Sequence, residues 1–248
     1  MNVIHYEMHQ DIALLKLNNG VNNPIGMDLV QELDQALERV ASESQGLILS
    51  GGEKFFSIGF DLPELLQLNR AGMEAFYAAF NWTLFKLLTL PLPTLCSITG
   101  HAVAGGCILC LGCDFRIAAS EKVKIGLNEI GIGVPVPYLA DMLLSRHIGH
   151  PAAAKMMYTG DFISSKQAEP LGLVDEILAR DQLQARALEK IQRFSCAPSP
   201  AFAMIKANRL ESIAKRFEKH FPEKLQAFLD IWFNPDTQAL LTRAAEKF

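Results

Sequence analysis

No apolar run in the chain approaches the roughly 20 residues that cross a bilayer. The opening MNVIHYEMHQDIALL has neither a basic n-region nor a small-residue cleavage site. A membrane span and a secretory leader are therefore not expected, and a cytoplasmic location is. Basic residues are in the minority: 23 Lys and Arg against 27 Asp and Glu give a net charge of −4. That balance leaves no cationic stripe able to release counterions from a phosphate backbone, so nucleic acid is not an expected partner. Cysteine is scarce, five in 248 residues with no regular spacing across the chain, which argues against a disulfide framework and for a reducing compartment. Cys107, Cys110 and Cys113 invite an iron–sulfur reading, but a fourth thiolate at a converging spacing is missing. They read as small buried hydrophobes, and no metal site is expected. The Walker loop, H-E-x-x-H and G-x-S-x-G are also absent, and Gly131-Ile132-Gly133 lacks the third glycine of a dinucleotide fingerprint.

What is present is half apolar and one-fifth charged, the balance of a globular chain with a large core. Val3 to Lys16 alternates loosely around His9-Gln10-Asp11 and predicts a β-hairpin. Leu29, Val30, Leu33, Leu37 and Val40 recur at helical spacing within Met27 to Val40. A buried strand is expected at Gly46 to Gly51 and a long helix over Met73 to Leu88, closed by Pro91 and Pro93. Leu95 to Thr99 then runs as a strand into the glycine loop Gly100 to Gly106, and an apolar helix begins at the glycine pair Gly105-Gly106. Short strands are expected at Phe115 to Ala119, Lys122 to Ile125 and Val174 to Leu178, and helices at Tyr138 to His147 and Ala152 to Tyr158. Ser164-Ser165-Lys166-Gln167 has the form of a capping box, opening a helix that ends near Gly172. Past Asp181 the pattern is helical only, punctuated by Pro198, Pro200, Pro222 and Pro235. The expected organisation is an α/β core over residues 1–195 and a helical region over 196–248. The latter carries more apolar surface, Phe217 to Phe233, than it can bury alone.

Two segments combine a strand end, small residues and an exposed-backbone turn: FFSIGFDL, Phe55 to Leu62, and TGHAVAGGCILCLGCDFRIAA, Thr99 to Ala119. On residue types alone both also read as tight turns. Together with IGLNEIGIG, Ile125 to Gly133, they resemble the crotonase (enoyl-CoA hydratase/isomerase) superfamily, and the resemblance runs from the hairpin to the tail. It implies a ClpP-like spiral of ββα units built on two nearly perpendicular sheets. A C-terminal helical region would cover the core or a neighbour, in trimers or dimers of trimers. It also implies an acyl-CoA substrate whose thioester oxygen is held by the backbone amides of Phe60 and Gly105, with coenzyme A as part of the substrate and no cofactor. Ser57, Ile58, Gly59, Asp61, Leu62, Ala104, Gly106 and Ile108 are the accompanying substrate-binding candidates. Glycine lets a backbone approach a ligand closely, and amides at a helix start favour negative charge.

Hydratases of the family resemble one another in carrying two carboxylates; here the first position is Ile108 and the second is Glu129. A single carboxylate suits a 1,3 proton shift better than water addition, and the combination looks most like the Δ3,Δ2-enoyl-CoA isomerase branch. Glu129, desolvated by neighbours such as Ile108 and Ile130, is the expected base, a solvated loop glutamate being the other reading of the same residue. A decarboxylase or lyase on the same fold, a weakly active hydratase-like protein and a non-catalytic acyl-CoA binder remain as alternatives. Among lesser candidates, Asp61 is expected to shape its loop and His101 to pack. Asp114 is expected to bind a backbone amide or Arg116, and Asp141 to stand as a reserve acid. Lys219 and His220 either approach the CoA phosphates or form a solvated face.

Overall fold

The computed structural model describes residues 2–120, 122–196 and 199–246; Pro198 lies outside them. The chain opens with the expected hairpin, β1 (Ile4–His9) against β2 (Ile12–Leu17), antiparallel and turning at Gln10 with φ +53°. A two-residue strand, β3 (Pro24–Ile25), leads into α1 (Met27–Glu43), whose buried Leu29, Val30, Leu33, Leu37 and Val40 form the stripe their spacing requires. Next come β4 (Gly46–Ser50), β5 (Phe55–Ser57), β6 (Gly59–Phe60), α2 (Leu62–Leu65) and α3 (Arg70–Thr89). The Asn69 side chain caps α3 by accepting the Gly72 amide at 2.9 Å.

Two further turns of the same plan follow. In the first, β7 (Thr94–Ile98) and β8 (His101–Val103) lead into α4 (Gly105–Leu111); in the second, β9 (Phe115–Ala119) and β10 (Lys124–Gly126) lead, through a 3-10 turn at Glu129–Ile132, into α5 (Tyr138–Ile148). The remainder is α6 (His150–Thr159), β11 (Ile163–Ser164), α7 (Ser165–Ala168), β12 (Glu176–Leu178), α8 (Leu183–Ser195), α9 (Ser199–Trp232) and α10 (Pro235–Ala245).

Each turn gives one strand to each of two sheets. The six-stranded sheet has the order β1-β2-β4-β7-β9-β12 and the four-stranded sheet β11-β10-β8-β5; β3 and β6 pair separately. From β2 to β12 the large sheet is parallel. Its inner strands are therefore covered on both faces, and every residue of Thr94–Ile98 is buried. This mixed α/β architecture with a C-terminal helical region is the expected crotonase-type arrangement of ββα units.

Three expectations are corrected in detail, and one that left two outcomes open is decided. Gly100 to Gly106 is not all loop, because His101–Val103 pairs with both β5 and β10. Three residues are too short a run to show strand periodicity. The capping box forms, with Gln167 and Ser164 bonded reciprocally, but its helix ends at Ala168 rather than near Gly172. Pro222 does not interrupt the tail: α9 passes through it. Pro222 is exposed, so the missing amide and the ring fall on the solvent side, while Phe217, Phe221, Leu225 and Phe228 hold the helix to the core. The tail's apolar surplus is buried within the same chain, where Tyr77 stacks on Phe228 and Trp82 meets Phe217 and Phe221 edge-on.

Candidate active site

The 3-10 turn after β10 begins at Glu129, and its carboxylate is the one ionisable side chain among the described residues lining a cavity of about 330 Å³. Phe60, Leu62, Ile132, Val134, Phe228 and Trp232 supply the apolar walls, and Asn22 and Asn128 the neutral polar ones. Glu129 is buried, and its Oε2 has no hydrogen-bond partner among the described residues. Desolvation therefore dominates: the carboxyl is pushed up to about 7, opposed only by its own backbone amide. One expected contributor is corrected. Ile130 is 54% exposed and faces an outer cleft with Tyr158 and His150, so the apolar wall of the inner cavity does the desolvating.

Two backbone segments line the same cavity as Glu129. In the first, the Gly59 amide donates to Ser57 Oγ at 3.1 Å and the Asp61 amide to the Ile25 carbonyl at 3.0 Å. Strand alternation turns the amide between them, that of Phe60, the other way. Ser57 Oγ in turn donates to the Asn23 carbonyl at 2.7 Å, which pins the segment from below. In the second, Ala104 stands at φ +48°, ψ −126°, a conformation that costs an L-residue energy, and its amide is tied to the Gly126 carbonyl at 2.9 Å. This kink starts α4 with the Gly105 backbone on the cavity wall. The two segments touch: a Cβ on Gly59, itself at φ +94°, would lie 2.8 Å from Ala104 Cβ and 2.9 Å from the Gly105 nitrogen. Only glycine permits that approach.

Of the expected substrate-binding residues, Ile58, Leu62 and Ala104 line the cavity together with Phe60, Gly105 and Glu129. Ser57, Gly59, Gly106 and Ile108 are buried behind its wall, and Asp61 caps α2 by accepting the Glu64 amide at 3.1 Å. These five support the site rather than face it. His101 packs as expected, its ring edge-on to Phe55 and its Nδ1 accepting the Lys124 amide at 2.9 Å. Asp141 is corrected: it lines the outer cleft and accepts from Ser145 Oγ at 3.3 Å. Val134 and Pro135 line both spaces and so form the partition between them. His220 meets Tyr138 edge-on at 6.5 Å. The residues that composition and motif did not disclose are Phe228, Trp232 and Ala244, brought onto the cavity by the tail helices from more than 90 positions away.

A second cavity, about 530 Å³, holds the other buried charges. Asp114 binds the Thr94 amide at 2.9 Å, as expected of it, but its cationic partner is Lys206 at 2.8 Å. Arg116 gives Asp114 only a long contact to the backbone carbonyl and donates its guanidinium to the Leu173 and Cys113 carbonyls. Arg116 also faces His147 Nδ1 at 3.3 Å, and His147 Nε2 lies 3.3 Å from the Leu111 carbonyl. Burial and the Arg116 charge hold His147 down to about 3. Cys107, Cys110 and Cys113 are all buried in the neighbouring core, Cys110 donating to the Gly106 carbonyl. No helix among the described residues is long and apolar enough to cross a membrane.

Comparison with known proteins agrees with this fold. The family model described as enoyl-CoA hydratase/isomerase matches residues 7–247. The mitochondrial enoyl-CoA delta isomerase 1 of Homo sapiens is 28% identical over 240 residues, spanning 95% of this chain and 80% of that protein. A probable enoyl-CoA hydratase of Bacillus subtilis is also 28% identical, spanning 93% of this chain and 96% of its own. The crystal structure of human mitochondrial delta3-delta2-enoyl-CoA isomerase superposes with a TM-score of 0.95 at 27% identity, covering 99% of this chain and 97% of that one. With the family model spanning nearly the whole chain and the spiral of ββα units reproduced around a buried glutamate, the chain belongs to the enoyl-CoA hydratase/isomerase family, within the crotonase superfamily.

Proposed function

We propose that the protein is an acyl-CoA isomerase that moves a 3-enoyl double bond to the 2-position. The observation that carries this reading is Glu129, the single ionisable side chain among the described residues lining the cavity, whose Oε2 is buried with no partner among them. As general base it takes a proton from C2 of the 3-enoyl thioester; as its conjugate acid it returns that proton to C4. A carboxyl titrating near 7 is matched to both halves of the cycle. The amides of Phe60 and Gly105 form the oxyanion hole for the thioester enolate, the charge that develops between the two transfers. Each such donor contributes about 3 kcal/mol to transition-state stabilisation. Coenzyme A enters as part of the substrate, and the proton shuttle requires no metal or redox group.

Hydration would need a second acid–base group to activate water, and the corresponding position is the buried aliphatic Ile108. The proposed assembly is a homotrimer or a dimer of trimers, supported by the exposed Met204 and Ile205 on the first turns of α9. The test is turnover of trans-3-enoyl-CoA thioesters, followed by absorbance of the conjugated product and by deuterium uptake, with Glu129→Gln in parallel. Conversion that disappears in the variant supports the isomerase. Silence at every chain length with binding intact sinks it; turnover of a malonyl-type thioester that survives Glu129→Gln would establish the decarboxylase instead.

A further inference from the structure

The burial of the cavity wall is graded. Asn22, Phe55 and Ile58 are half-buried, with the exposed Lys54 over the Phe55 ring, whereas Leu62, Val134, Phe228 and Trp232 are 1–6% exposed; Pro135 is exposed and also lines the outer cleft. Glu129 and the Gly105 backbone lie on the same cavity, so a thioester held there has two directions to leave in. The bulky, polar coenzyme A arm must take the open side over Asn22, Phe55 and Ile58. The acyl tail must run toward the buried side.

That side is closed by a fixed aromatic floor. Phe228 and Trp232 stand one helical turn apart on α9 with ring centroids 5.9 Å apart, and Phe228 stacks on Tyr77 of α3 at 3.7 Å. The Trp232 carbonyl accepts from Gln238 Nε2 at 2.6 Å, which folds α10 back across the floor and presents Ala244 to the cavity. α10 also bears on the Glu129 turn, Thr237 Oγ1 reaching the Gly133 carbonyl at 3.5 Å. A stack held on both sides has no alternative packing to offer a longer chain. At about 330 Å³ the cavity is also near the lower end of small-molecule sites.

We infer that Trp232, backed by Phe228, ends the acyl subsite and that α10 walls it through Ala244, so that the ligands are thioesters of short aliphatic acids. Trp232 and Ala244 are specificity-determining residues. The inference rests on the acyl-thioester reading of the cavity, not on the isomerisation.

Equilibrium binding of saturated acyl-CoAs, from butanoyl to tetradecanoyl, tests it without turnover. In the wild type, affinity should rise about fourfold per buried methylene, then stop rising by octanoyl. Trp232→Leu should move that break to a chain at least two carbons longer. Ala244→Phe, which fills the space from α10 and leaves the stack intact, should move it to a shorter chain. Circular dichroism establishes that each variant is folded, and the opposite shifts serve as mutual controls should one of them not be. A break unchanged in both folded variants, or affinity that keeps climbing to tetradecanoyl in the wild type, overturns the inference. Loss of isomerase turnover with the breaks as described would remove the proposed reaction and leave the inference standing.

Discussion

Glu129 and His147 are both held far from their ordinary titration ranges by burial, about 7 for the carboxyl and about 3 for the imidazole. Only one of them stands where chemistry can use it. His147 is perturbed further, yet each ring nitrogen has a partner, Arg116 on one side and the Leu111 carbonyl on the other. Around it Lys206 meets Asp114, and Arg116 is spent on backbone carbonyls. The Glu129 cavity is smaller and holds no countercharge among the described residues, and one carboxylate oxygen is unsatisfied. A buried polar group without a partner costs stability that a partnered one does not. The two cavities therefore differ less in the size of the pKa shift than in hydrogen bonding, and the proposed base is the group whose bonding capacity is left unmet.

Two substitutions drive the cavities apart in opposite directions. Glu129→Gln should lower turnover of a 3-enoyl thioester by about 1,000-fold or more, measured as kcat/KM. It should also stabilise the protein at pH 8, where Glu129 is ionised in the folded state against its environment. Raising the carboxyl from 4.5 to about 7 corresponds to about 3 kcal/mol of destabilisation above the folded pKa, and denaturant titration of the variant should recover most of it. Lys206→Met is the mirror image. Lys206 is 6% exposed and its partner Asp114 would be left with only the Thr94 amide and hydroxyl. A loss of about 3 kcal/mol is expected, with kcat/KM per folded molecule unchanged. A Lys206 variant that is stable and inactive would break the comparison, by giving the charged cavity a share in the reaction.

How much of this contrast is legible in the sequence depends on distance along the chain. The Glu129 block, the Gly59 and Gly105 turns and the aliphatic Ile108 sit in contiguous motifs, and residue types at short spacing carry them. The helical stripe of α1 is equally local. The two-residue strands β3 and β6 are not legible, because no periodicity exists in two residues, although they orient the Phe60 amide. The Lys206–Asp114 pair joins positions 92 apart, whereas proximity in sequence offers Asp114 only a backbone amide or Arg116 as partner. Ile130 and Asp141 take the outer cleft for a related reason: motif position tells which segment borders the site but not which of its two sides a residue takes. Val134 and Pro135, as the partition, decide that.

The smallest expected effect is also the most diagnostic, because the two groups load acid stability with opposite signs. A carboxyl raised to about 7 binds its proton in the folded state before it does so unfolded, so between about pH 5 and 6.5 its contribution grows as pH falls. An imidazole lowered to about 3 stays neutral in the folded state while the unfolded form protonates near 6.5, so over the same window its contribution shrinks as pH falls. Each slope is about 1 kcal/mol per pH unit, and in the wild type they cancel. Glu129→Gln leaves the histidine slope exposed, and that variant should lose stability on acidification. His147→Gln leaves the glutamate slope and should gain. Chemical denaturation at half-unit intervals from pH 5 to 6.5 reads both, and parallel curves for the two variants would show that the cavities do not hold their groups in the opposed states that burial imposes.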